Sequence, residues 1–185
     1  ALGQGTVILT GGLDLSVPWT IGISGIILAG MVNGSDAALL YALPVVLVMA
    51  CAIGFANGFG IAYLGISPIV MTLATNGILQ GFALVYSQGT PAGFSSPMLR
   101  WFMTAKLGFV TPVVLLMVVF VVGAVLLLGR TPFGRRVYGI GNGLRAARLS
   151  GIGVERTLIL VYMLSAVCAA VVGIMLTGFS GQASL

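Results

Sequence analysis

Residues 129–156 read GRTPFGRRVYGIGNGLRAARLSGIGVER, the one markedly polar island in an otherwise apolar chain. The island holds six of the eight basic residues (Arg130, Arg135, Arg136, Arg145, Arg148 and Arg156) together with Glu155, one of three acids. Residues 107–128 before it and 157–179 after it carry no charge at all. Each run is long enough to cross a bilayer, which takes about 20 apolar residues. The island is therefore a loop between two spans, and its arginines place it in the cytoplasm by the positive-inside bias.

Composition points the same way. The chain is 59% apolar and 6% charged with a mean hydropathy of +1.18, whereas soluble domains carry about 25% charged residues. This is an integral membrane protein, and its bilayer-length apolar runs read as an all-α, polytopic helix bundle. The net charge of +5 comes almost wholly from the island, so it reports topology and not nucleic-acid binding. Cys51 and Cys168 each sit inside an apolar run and read as small buried side chains. There is no histidine and no ligand spacing for a metal. No charged leader or cleavage site is visible at the start.

Working outward, residues 2–10 are too short to span and read as the tail of a helix, broken at Gly11-Gly12. Asp14 and Ser16 are placed to cap the next helix, which has Pro18 in its first turn and runs to about Val32. Asn33-Gly34-Ser35-Asp36 is turn chemistry. Further spans are expected at about 38–59 and 68–87, separated by a turn within 60–67. The second is the more polar, with Thr72, Thr75, Asn76 and Gln80, and is open to a re-entrant or broken reading. Residues 88–106, with Pro91 and Pro97, form an external loop that has room for a short interfacial helix; Tyr86 and Trp101 suit the interface belt. The total is five full spans and one partial, in a single domain covering 1–185. Small-residue pairs at Gly54/Gly58, Gly77/Gly81, Ala166/Ala170 and Ala169/Gly173 read as helix packing.

The interior of the island is not a featureless tether. Asn142 is placed to cap a helix over 144–149, and Gly151 to end it, giving about two turns. Arg145 and Arg148 share a face, and Ala146 and Ala147 keep the middle slim enough for another protein's groove to approach. A loop that merely sets topology is the alternative reading.

Two segments carry a family resemblance. The run Ala146-Ala147-Arg148-Leu149-Ser150-Gly151 has the A-A-x-x-x-G spacing of the coupling loop in membrane subunits of ATP-binding-cassette importers. The longer stretch TPFGRRVYGIGNGLRAARLSGIGV resembles the corresponding segment of ribose/xylose-type monosaccharide permeases. Far upstream, Gly11-Gly12-Leu13-Asp14-Leu15-Ser16-Val17 resembles that family's G-G-I-D-L-S-V-G. Pro18, where the family usually has glycine, and Arg145, where an acidic or small residue is common, depart from the pattern. Family members are longer, so the chain is expected to be an internal piece lacking a first helix and a C-terminal region.

The resemblance implies a multi-pass subunit of the bacterial inner membrane that forms the path for a monosaccharide. It implies a homodimer working with a cytoplasmic ATPase, which binds the ATP and Mg, and an extracytoplasmic sugar-binding protein that holds much of the specificity. This chain would then hold no cofactor of its own. Residues 130–156 would be the coupling loop, with Arg145, Ala146, Ala147, Arg148, Leu149, Ser150, Gly151 and Ile152 seated on the ATPase. Arg148 would pair with an ATPase carboxylate, and a bulky residue at Ala147 or Gly151 would uncouple hydrolysis from uptake.

The remaining chemistry agrees with an external energy source. The one lysine, Lys106, is not part of a phosphate loop, and no acid–base or metal constellation exists, so an enzyme reading is poor. Secondary transporters usually carry ionisable groups within the membrane; here only Asp14 lies near a span boundary. Neutral sugars need donors and acceptors without fixed charge, and Asn57, Thr72, Thr75, Asn76 and Gln80 are candidates for the path. The same side chains can instead join helices, and Asp14 can be a cap, a gate or a structural hydrogen bond. Import of another solute, such as a branched-chain amino acid, and a channel or membrane scaffold without an ATPase are the competing functions.

Overall fold

A computed structural model describes residues 2–90, 93–106 and 111–183. Nine helices account for them: α1 (Leu2–Leu9), α2 (Val17–Val32), α3 (Asp36–Ala62), α4 (Pro68–Ser87), α5 (Pro97–Thr104), α6 (Pro112–Arg130), α7 (Pro132–Asn142), α8 (Leu144–Leu149) and α9 (Val154–Ser180). In hydrocarbon every backbone N–H and C=O must find a partner within the protein, and a helix supplies it segment by segment.

Four helices (α3, α4, α6 and α9) are long and apolar enough to cross a membrane. The fifth expected span, α2, has 16 residues, about 24 Å at 1.5 Å per residue against a hydrocarbon core of about 30 Å. It begins late because residues 11–16 are spent on an irregular elbow. The α4 helix is continuous, without the break its polar residues allowed. The α5 helix supplies the short helix expected in the external loop. Pro91, and the first residues of the expected 107–128 run, lie outside the described residues.

The long helix α9 is the centre of the bundle, with α1, α2 and α3 packed around it. Helices in lipid gain little from burying apolar surface, so close approach decides which faces meet. A side-chain carbon built on Gly54 would stand 2.5 Å from Met163 Cα, and one on Gly58 would stand 2.6 Å from Ile159 Cα. Any residue larger than glycine would push α3 off α9. Ala166 and Ala170 join Leu28, Ala42, Val46 and Ala50 in the largest buried cluster. Gly77 and Gly81 have the same spacing but meet nothing among the described residues. Cys51 and Cys168 are half-buried and unbridged.

The connections sort to two ends. At one, the Gly34 N–H donates to the Phe94 carbonyl (3.0 Å), Ser95 N–H to Gly181 (2.9 Å) and Met98 N–H to Asp36 Oδ1 (2.9 Å). The α2–α3 turn, the α5 segment and the end of α9 are thus tied together. At the other end the elbow at Gly11-Gly12, the α3–α4 turn and α8 surround one cavity. This is the grouping the charge pattern requires.

Two expected caps are not formed. Ser16 stands at the N-cap of α2, but its hydroxyl donates to Asp14 Oδ1 (2.6 Å) instead of accepting from the helix. Asn142 is the last residue of α7, and Gly143 precedes α8. The island folds as two helices, and the first absorbs the residue expected to start the second.

If Gly58 sets the α3–α9 distance, Gly58→Leu in the full-length subunit will cost about 1–3 kcal/mol or more. Gly77→Ala will leave stability unchanged. Thermal unfolding in detergent followed by size-exclusion chromatography reads both.

Candidate functional site: an arginine-rich surface above a buried polar network

The island is built on its own small core. Thr131 closes the corner after α6: its hydroxyl donates to the Leu127 carbonyl (2.5 Å) and accepts from Gly134 N–H (3.3 Å), with Pro132 in the first turn of α7. Gly134 lies directly against the Leu128 backbone, which leaves no room for a side chain. Phe133, Val137 and Ile140 recur at helical spacing and face inward. Val137 packs with Val7, Val161 and Tyr162, and Ile140 packs with Ala147 and Val154.

The α8 helix follows, and Gly151 ends it as its sequence position predicted. Ile152 N–H donates to the Ala147 carbonyl and Gly151 N–H to that of Arg148, both at 3.0 Å, with Gly151 at φ +77°. This is a Schellman termination, and Ile152 joins Ala147 in the core beneath.

The two alanines are not equivalent. Ala146 faces out, but Ala147 is 3% exposed and is the root of α8 in the island core. A bulky residue at Ala147 would therefore unpack the island itself, before any partner is met. Leu149 is 90% exposed, more than any other large apolar residue described, with Arg145, Arg148, Ser150 and Gly151 exposed around it. The Arg148 guanidinium is already engaged within the chain by Glu155 Oε1 at 2.8 Å, so a carboxylate from elsewhere would have to share it.

Below the island, the elbow residues Asp14 and Ser16 enter a buried network between helices. The Ser16 N–H and hydroxyl donate to Asp14 Oδ1 (3.0 and 2.6 Å), and the Ser165 hydroxyl of α9 donates to Oδ2 (2.7 Å). Asn57 Nδ2 of α3 donates to the Ser16 hydroxyl (3.0 Å), and Thr75 of α4 donates to Asn57 Oδ1 (2.6 Å). Leu15 N–H donates to the Thr72 hydroxyl (3.0 Å). Asp14 is 3% exposed and Asn57 1%. The carboxylate thus accepts three hydrogen bonds where water cannot reach, which offsets the cost of burying it. Of the readings open for Asp14, the structural hydrogen bond is the one observed.

The network also sorts the five polar residues proposed for a path. Asn57, Thr72 and Thr75 are bonded into it. Asn76 is half-buried with an unpartnered Oδ1, and Gln80 is exposed. Gly11 and Gly12 line a cavity of about 300 Å³ shared with Ser67, Leu144 and Arg148, and Leu15 is exposed beside the elbow. Ser165, which bonds to Asp14, and Tyr162, which lines the cavity, are residues the sequence does not announce, since each sits within an uncharged run. The buried Tyr162 hydroxyl stands against Gly12 without a hydrogen-bond partner. Among the described residues no cluster of three or more His, Cys, Asp or Glu is placed to hold a metal.

Comparison with known proteins gives one consistent result. The family model described as "branched-chain amino acid transport system / permease component" matches residues 1–185. The ribose import permease protein of Bacillus subtilis is 37% identical over 181 residues, 96% of this chain and 55% of that protein. The D-allose transport system permease protein of Escherichia coli is 33% identical over 184 residues, 98% of this chain and 56% of that protein. The galactofuranose transporter permease protein of Escherichia coli is 34% identical over 178 residues, 94% of this chain and 51% of that protein. The chain spans about half the length of these relatives. No solved structure matches it.

Asp14→Ala will strand three buried donors and destabilise the full-length subunit by about 1–3 kcal/mol. Ser165→Ala will cost less, and the double variant less than the sum, because both changes break the same bond. Denaturant or thermal unfolding of the four proteins in detergent measures the coupling.

Proposed function

Since this chain belongs to the family described as "branched-chain amino acid transport system / permease component", we propose that it is a section of the membrane subunit of a binding-protein-dependent importer for a monosaccharide. It is a multi-pass protein of the bacterial cytoplasmic membrane. The relatives named for ribose, D-allose and galactofuranose favour a sugar over the amino acid of the family description. A second copy of the subunit, a cytoplasmic ATPase with its ATP and Mg, and an extracytoplasmic sugar-binding protein complete the machine.

The observation that carries this reading is the exposed Leu149 on α8, a helix anchored by Ala147 and stopped by Gly151. A leucine this exposed on a helix anchored from below suits an apolar pocket in a partner, and Arg145 and Arg148 suit carboxylates at that pocket's rim. When the ATPase pair closes, it pushes α8. The push passes through Ile140 and Val154 to the start of α9, and through Val137 to Val161 and Tyr162. Because α3 is clamped to α9 at Gly54 and Gly58, the two long helices move together, and the elbow follows through Asp14 and Ser165. Nucleotide acts on the membrane segments only so far as it changes the contacts at α8. Asn76 and Gln80, free of the network, remain as polar groups for a sugar path.

Burying a leucine is worth about 1.5–3 kcal/mol, so Leu149→Asp will weaken ATPase association about tenfold or more. Uptake will fall in step, with normal insertion. Normal uptake by both Leu149→Asp and Gly151→Leu refutes the coupling assignment. Unchanged uptake by Asn76→Leu and Gln80→Leu removes those two residues from the path.

A further inference from the structure

We infer that the corner where α6 turns into α7 is a binding site for the phosphate of an anionic phospholipid headgroup, held by Arg130, Arg135 and Arg136. This rests on the membrane placement of the chain argued above, and it concerns a different surface from α8.

The first observation is level. The α6 helix has 19 residues, about 28 Å at 1.5 Å per residue, close to the hydrocarbon thickness of about 30 Å. Arg130 is its last residue, so the guanidinium stands where the chain leaves hydrocarbon. The rest of α6 is apolar and exposed along almost its whole length, Val118, Val121 and Val125 included, so acyl chains can lie beside the corner.

The second is the fold of the corner. With Gly134 against the Leu128 backbone and Thr131 bonded across the junction, the start of α7 is packed on the last turn of α6. Arg135 and Arg136 lie within the first five residues of α7, five and six residues after Arg130, and all three are exposed. Tyr138, exposed one helical turn from Arg135, adds the kind of ring that settles among headgroups.

The third is charge. Among the described residues Arg148–Glu155 is the one ion pair. The other two acids are remote: Asp14 is buried with both oxygens engaged, and Asp36 is at the opposite end. Three guanidinium groups share the corner with no carboxylate to meet them. A doubly liganded phosphate fits guanidinium forks well, and juxtamembrane cations draw anionic lipid at about 1 kcal/mol each. An acidic patch on the ATPase is the competing occupant. The level of Arg130 at the hydrocarbon boundary favours the lipid.

The test uses the full-length transporter with spin-labelled phosphatidylglycerol and phosphatidylcholine, reading the association constant of one lipid relative to the other. Each of Arg130→Gln, Arg135→Gln and Arg136→Gln is expected to lower the preference for phosphatidylglycerol about fivefold, whereas Arg156→Gln leaves it unchanged. A triple variant with wild-type preference overturns the site. Equal loss in Arg156→Gln also overturns it, since the preference would then come from diffuse charge. A triple variant that keeps its lipid preference but loses the ATPase in a pull-down assigns the corner to the protein partner instead. Labelling of Asn142→Cys by an impermeant thiol reagent from outside the cell would sink the inward placement of the island. That outcome leaves the lipid measurement itself independent, because it depends on the headgroup and not on the leaflet.

Discussion

Two helices immersed in lipid gain almost nothing by hiding leucines from one another, so contact between them depends on how closely their backbones can lie. In this chain that constraint is met at Gly54 and Gly58, where α3 touches α9 with no side chain between. The same device recurs where Gly3 meets the Ser165 backbone and where Gly173 meets the Ile21 carbonyl. Helix α9 is thus a post against which α1, α2 and α3 are set at fixed distance. The island core stands on its first residues, and the buried network is bonded to its middle.

The network does what apolar packing alone cannot. Leucines and valines fill space but do not distinguish one register from another, whereas a carboxylate that must collect the hydroxyls of Ser16 and Ser165 has one position. The elbow between α1 and α2 is irregular, with Gly11 at φ +79°. Its fixed shape comes from Asp14 and from the bond between Leu15 and Thr72. The D-L-S run therefore acts less as a helix start than as a three-way tie among α9, α3 and α4.

How much of this was legible depended on whether a feature leaves its mark on the same residues that make it. Spans showed as uncharged runs, the island showed as arginines, and Gly151 showed as a stop because the left-handed turn must be made by that residue itself. Helix α7 was hidden in plain view: Phe133, Val137 and Ile140 have the right spacing, but the glycines and arginines between them read as loop. Ser165 gave no signal, because its partner lies 151 residues away in sequence. Gly54/Gly58 and Gly77/Gly81 are identical as patterns, yet one pair meets a backbone and the other meets nothing among the described residues. Spacing reports what a face permits, and the opposite wall decides whether it is used. Ala147 is ambiguous in the same way, since a small residue suits an internal core, where it is found, as well as an external groove.

The long reach of the Asp14–Ser165 bond has a consequence during synthesis. About 90 residues separate the end of α3 from the start of α9, and at 5–20 residues per second the ribosome needs on the order of ten seconds to cover them. For that interval the nascent elbow has a carboxylate that has not yet met its α9 donor, and α3 has bare glycine faces with nothing to rest on. The early segments must therefore wait beside the insertion machinery, and α3 and the elbow gain their partner only when α9 arrives.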